Sequence, residues 1–131
     1  MKAIIIMGSD SDRGHAEKLT SSLEALGVGF EVLVASAHKR TEKVLEIFRS
    51  YIKGDRVAFV TIAGRSNALS GFVAANTEKP TFACPPFKDK VDMSINIHST
   101  LQMPSNTPVL TVLDPGNCAL AVYRVLNLEN L

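Results

Sequence analysis

Ser36-Ala37-His38-Lys39 is the stretch whose residue types most plainly suit chemistry. An imidazole beside an ammonium offers a group that titrates near neutrality and a cation for an anionic ligand. The apolar run Phe30-Glu31-Val32-Leu33-Val34-Ala35 precedes it and reads as a buried strand. Thr41 follows as a candidate N-cap for a helical pattern. The tetrapeptide therefore falls where a strand hands over to a helix, which is where open parallel sheets bind ligands. By itself it is equally compatible with a loop histidine and a solvated lysine.

Two further loops have the same character. In Gly8-Ser9-Asp10-Ser11-Asp12, Gly8 permits tight backbone geometry, and Ser9 and Ser11 carry hydroxyl donors. The amides that open the following helix add an anion site, so the loop suits a phosphate. Asp10 or Asp12 suits a ribose hydroxyl, because a carboxylate accepts hydrogen bonds and repels phosphate. The third loop is Ala63-Gly64-Arg65-Ser66-Asn67. Each loop alone also fits a routine helix cap. Together they outline a site for a small phosphorylated ligand, with His38 as its titrating group.

The elements that position these loops alternate regularly. Strands are expected at Ala3–Met7, Phe30–Ala35, Arg56–Ile62, Thr81–Cys84 and Pro108–Leu113. The first is a continuous β-branched run of the kind covered on both faces. Ala16, Leu19, Leu23 and Leu26 recur at helical spacing up to Gly27. Val44, Leu45, Phe48, Tyr51 and Ile52 form a second stripe that closes near Gly54. Further helices are expected over Ala68–Asn76 and Asn117–Leu128. Asp92–Leu101 fits either periodicity and is read as a helix because that keeps the βα rhythm, with Pro104 ending it. Strand–helix alternation with short loops predicts βαβ units, a five-stranded parallel sheet and a flavodoxin-like three-layer α/β/α sandwich. No repeat or linker interrupts residues 1–131, which read as one unit.

Composition narrows the function classes. The chain has 131 residues, 46% of them apolar, enough for a real core and against disorder. Fourteen basic residues against 13 acidic ones, with no long run of one sign, give no electrostatic support for nucleic acid or a membrane surface. Ala3–Met7 is too short for a membrane span and lacks the surroundings of a signal peptide, so a cytoplasmic location is expected. Cys84 and Cys118 are far apart and read as reduced, buried thiols. His15 reads as a surface or capping residue and His98 has no partner pattern; neither has metal-ligand spacing beside it. No nucleophile elbow or Walker-type Gly-Lys-Ser/Thr occurs.

Five ordered motifs resemble a known family. Gly8-Ser-x-Ser-Asp12, Ser36-Ala-His-Lys39, Ala63-Gly-Arg-Ser-Asn-Ala-Leu-Ser-Gly71, Ala83-Cys-Pro-Pro86 and Leu101-Gln-Met-Pro104 fall in the order seen in phosphoribosylaminoimidazole carboxylases of purine biosynthesis. The resemblance covers essentially the whole chain and is to the class II (PurE-type) form, which carboxylates aminoimidazole ribonucleotide directly with carbon dioxide. The class I mutase, which acts on the N5-carboxyamino isomer, typically has Ala-His-Arg in the second loop and a histidine in the third. Here the second loop reads Ala37-His38-Lys39 and the third Arg65-Ser66-Asn67.

The resemblance implies roles. His38 would take the proton from C4 of the aminoimidazole, and Lys39 would hold the phosphate or stabilise the carboxylate. Ser9, Asp12 and Ser36 would hold the ribose phosphate, with Gly8 and Ser11 in the same loop. Gly64 and Ser66 would line the site, and Arg65 would face the new carboxylate. No metal, biotin or ATP is implied. The partners implied are the small-molecule substrates and further copies of the chain, as an octamer or tetramer with shared sites. Relatives of this type continue past the last helix with a segment that packs on a neighbouring subunit. This chain stops at Leu131, so it reads as a compact member or a shortened piece. Two alternatives stay open: the class I mutase reaction, and a non-catalytic flavodoxin-like nucleotide-binding module. A phospho-receiver fits poorly, because the third strand ends in Ala63-Gly64 and the fifth in Asp114-Pro115.

Overall fold

The computed structural model describes residues 1–51 and 54–130. Five strands, β1 (Lys2–Met7), β2 (Gly29–Val34), β3 (Val57–Ile62), β4 (Thr81–Ala83) and β5 (Leu110–Thr111), form one parallel sheet in the order β2-β1-β3-β4-β5. β1 is central: Ile5 lies opposite Val32 on one side and Val60 on the other. Its apolar run is continuous because both faces are covered, and Ala3 to Met7 are fully buried.

Alternation along β1 divides the core. Ala3, Ile5 and Met7 face a layer built from α1 (Arg13–Ala25) and α6 (Pro115–Leu126), through Leu19, Leu23, Ala119 and Val122. Ile4 and Ile6 face α2 (Thr41–Arg49) and α3 (Leu69–Asn76), through Val44, Phe48, Leu69 and Val73. Phe48 meets Phe59 edge-on, with ring centroids 6.2 Å apart. Each large side chain buried here contributes about 1.5–3 kcal/mol relative to exposure. The architecture is the flavodoxin-like α/β fold, and its strand order puts the β1, β2, β3 and β4 exits along one edge. No helix among the described residues is long and apolar enough to cross a membrane.

Several boundaries differ from the sequence reading. Thr41 is the first residue of α2 rather than its cap. The turn before it leaves the Ala37 carbonyl within reach, and the Thr41 hydroxyl donates to it at 2.8 Å. Tyr51 lies past the end of α2, and Ile52 lies outside the described residues. β5 shrinks to two residues; Pro108 has no N–H to donate to a ladder. The last helix starts at Pro115, two residues before Asn117, because Asp114 caps it by accepting from the Asn117 amide at 2.8 Å. It ends at Leu126, and a 3-10 turn, Leu128–Asn130, follows. The ambiguous segment is helical, in two pieces: α4 (Lys90–Asn96), capped by Asp89, and α5 (His98–Leu101).

Candidate active site

A cleft of about 580 Å³ opens at the C-terminal edge of the sheet, within the range of small-molecule sites. Gly8, Ser9, Ser11 and Asp12 line it from the loop after β1. Ser9 caps a 3-10 turn over Asp10–Asp12: its Oγ accepts from the Ser11 amide at 3.3 Å and meets Ser11 Oγ at 2.9 Å. This turn presents both hydroxyls together. It also separates the two acids of the loop. Asp10 is held outside by Arg13 at 2.6 Å, whereas Asp12 lines the cleft. Burial pushes the Asp12 carboxyl above its ordinary range, against opposing pulls from His15 and the Ser9 backbone.

Ser36, Ala37 and His38 line the cleft from the loop after β2. The turn is closed by the Arg40 amide donating to the Ser36 carbonyl at 2.7 Å and by the Lys39 amide donating to Ser36 Oγ at 3.4 Å. Ser36 is thus partly spent on its own loop. Lys39 is exposed and lies next to His38, but it is not among the residues that form the cleft wall.

The third loop contributes Ala63, Gly64, Arg65 and Ser66. A Cβ on Gly64 would stand 3.1 Å from the Pro86 carbonyl oxygen, so the glycine lets these two backbones approach more closely than a side chain would without displacing the neighbour. Ser66 adopts a left-handed φ of 45°. Asn67 fixes the loop from behind. It is buried, its amide donates to Ser99 Oγ at 2.9 Å, and its Nδ2 donates to Ser70 Oγ at 2.8 Å and Thr100 Oγ1 at 2.9 Å. Further along, a Cβ on Gly71 would stand 2.9 Å from Met103 Sδ, so α3 also packs closely on the segment after α5.

The structure adds a fourth wall that the sequence did not announce. Pro86, Phe87, Lys88 and Asp92 complete the cleft from the loop after β4 and the first turn of α4. Ala83-Cys-Pro-Pro86 was visible as a motif, but prolines and a phenylalanine announce no chemistry, and Lys88 looks like any surface lysine. Asp92 accepts from the Lys88 amide at 2.9 Å and from Asn96 Nδ2 at 2.6 Å. The Lys88 amide bond above all, with Asn96 and the nearby Arg65 and Lys88 charges, holds its carboxyl below the ordinary range.

His15 is not the surface or capping residue expected. It is half-buried, and its Nε2 reaches Cys84 at the end of β4, 3.1 Å from the carbonyl oxygen and 3.6 Å from Sγ. Helical spacing set its place on α1, but the crossing to a distant strand had no local signal. Cys84 and Cys118 are free and buried, as expected. They also interact: the hydrogen bond between them draws the Cys84 thiol below its usual range and pushes Cys118 up.

An open parallel sheet with hydroxyls, two carboxyls, one imidazole and two cations around a cleft at its C-terminal edge defines an α/β protein for a small polar ligand. A family model described as AIR carboxylase matches residues 2–131. The chain is 51% identical over 130 residues to a phosphoribosylaminoimidazole carboxylase of Archaeoglobus fulgidus, covering 99% of this chain and 71% of that protein. It is 45% identical over 126 residues to the Treponema denticola protein of the same name, covering 95% and 79%. The crystal structure of Treponema denticola PurE superposes with a TM-score of 0.89 at 43% identity, over 97% of this chain and 80% of that one. The chain belongs to the AIR carboxylase family.

Proposed function

We propose that this protein carboxylates 5-aminoimidazole ribonucleotide with carbon dioxide to 4-carboxy-5-aminoimidazole ribonucleotide, in de novo purine biosynthesis, reversibly and without ATP. The aminoimidazole is an enamine-like nucleophile at C4. C4 attacks carbon dioxide, a carbon–carbon bond forms, and one C=O electron pair moves onto oxygen as carboxylate. C4 then carries both the carboxylate and its proton. The His38 imidazole removes that proton, and the C–H electron pair restores the aromatic ring. Reversal returns the proton from the imidazolium and releases carbon dioxide.

The observation that carries this reading is convergence. His38, the serines and acid of the first loop, and Gly64–Ser66 are far apart in sequence yet line one cleft in a chain of this family. Ser9, Ser11 and Ser36 donate to the phosphate, Asp12 accepts from ribose hydroxyls, and Gly8 and Gly64 keep the floor narrow. Arg65 faces the carboxylate. Lys39, on its flexible stem beside His38, swings to the phosphate when ligand enters. Residues 1–131 act as one domain, in the cytoplasm, as a homo-oligomer of four or eight chains.

The test is a carboxylation assay with aminoimidazole ribonucleotide and carbon dioxide–bicarbonate without ATP, followed by ultraviolet absorbance. Product is expected. Absence of product from folded protein, with turnover of the N5-carboxyamino isomer, would assign the mutase reaction instead.

A further inference from the structure

We propose that His15 is a positioning residue, setting the distance between the Asp12 wall and the Pro85-Pro86 wall of the cleft and thereby the affinity for the nucleotide. The inference rests on the function proposed above.

The fourth wall is short of backbone donors where it leaves the sheet. β4 ends at Ala83, and the Cys84 amide still donates to the Thr61 carbonyl at 2.9 Å. Pro85 and Pro86 follow, and neither has an N–H. The chain that turns from the sheet into the cleft wall thus has two consecutive residues that cannot be held by donating. What can hold it is an acceptor, the Cys84 carbonyl. Cys84 is fully buried, so a carbonyl there without a partner would be costly. His15 Nε2 supplies the bond at 3.1 Å. A carbonyl oxygen only accepts, so Nε2 carries the hydrogen. The same N–H lies 3.6 Å from Cys84 Sγ, and that thiol reaches the Leu113 carbonyl at 3.6 Å, which fixes the residue from a second side.

The other end of His15 belongs to the first wall. It stands one helical turn after Asp12, in the first turn of α1. His15 therefore ties the start of α1, which begins just after Asp12, to the strand end that carries Pro86. Pro86 in turn sits against Gly64, close enough that a Cβ there would stand 3.1 Å from its carbonyl oxygen. Loss of the His15 bond frees the Pro85-Pro86 segment, and the Gly64 loop with it, while His38 on the far wall keeps its place. Binding should suffer more than the chemical step.

The test compares His15→Ala with His15→Gln, whose side-chain amide can donate to the Cys84 carbonyl. In His15→Ala, KM for the nucleotide should rise about tenfold while kcat stays within about threefold, the pattern of lost uniform binding. Hydrogen exchange in a peptide spanning Phe82 to Lys88 should accelerate about tenfold, as local opening becomes easier. His15→Gln should restore both measurements. Unchanged KM and exchange in His15→Ala would overturn the proposal, as would a folded His15→Gln that is as impaired as His15→Ala. Should His15→Ala fail to fold, a folded His15→Gln with near wild-type KM and exchange supports the proposal, and one with raised KM refutes it. Should the wild-type protein not turn over the nucleotide, the functional reading fails, and the exchange measurement still decides the His15 bond.

Discussion

The two walls of the cleft do different work. The wall after β1 and β2 presents reactive and accepting groups: two hydroxyls in contact, a carboxyl raised by burial, and an imidazole. The wall after β3 and β4 presents shape and charge of both signs: a glycine against a proline carbonyl, a left-handed serine, Arg65, Lys88 and Asp92. Substitutions on the first wall should therefore act on chemistry and on the ligand's polar groups. Those on the second should act on fit. The contrast shows that the polar residues of a site are not the whole of it, because a nucleotide must also be confined against a surface that carries no reactive group.

The largest expected effect tests the first wall. His38→Asn should lower kcat by about 10²–10⁴-fold while ligand binding by calorimetry is retained, because only proton transfer is lost. Near-normal turnover would remove His38 from the acid–base role. Lys39→Ala should raise KM about tenfold, the cost of one charge-assisted hydrogen bond. An unchanged KM would leave the anions of the ligand to Arg65 and Lys88 on the opposite wall.

Gly64→Ala probes fit. The added methyl meets the Pro86 carbonyl, and overpacking of this kind costs about 1–3 kcal/mol, so Tm should fall and KM should rise with kcat little changed. A variant with wild-type Tm and KM would show that the two loops yield freely.

Asp12→Asn has a sign fixed by burial. The folded protein favours the protonated acid. That contribution is complete below the ordinary carboxylate pKa and fades as pH rises through the raised value. At neutral pH the ionised Asp12 is thus a cost, so Asp12→Asn should melt slightly higher than wild type at pH 7. The gap should close toward pH 4. A lower Tm at pH 7 would mean that the carboxylate is stabilised by the fold.

Ser66→Gly should have the smallest effect. Relief of the left-handed backbone is offset by glycine's greater freedom in the unfolded chain, which leaves a gain below about 1 kcal/mol in denaturant unfolding.

Much of the first wall was legible. Gly8, Ser9, Ser11, Asp12, Ser36 and His38 were all singled out from sequence and all line the cleft, as do Gly64, Arg65 and Ser66. They were visible because strand periodicity marks where loops open, and polar residues there announce themselves. Within the first loop, however, Asp10 and Asp12 were indistinguishable until Arg13 was seen to occupy Asp10. Thr41 looked like a cap, but its hydroxyl takes the competing local bond to the carbonyl of Ala37, four residues back.

By itself, the sequence determined the βα alternation, the central place of a run as apolar as Ala3–Met7, and the loops that carry the polar groups. Those properties depend on neighbours a few residues apart, where periodicity and side-chain type act directly. Tertiary structure alone decided that Pro86, Phe87, Lys88 and Asp92 form the fourth wall and that His15 reaches across to Cys84. The reason is distance along the chain: His15 and its partner lie 69 positions apart, and no local pattern encodes a contact that exists only once the sheet has set the spacing of its strands.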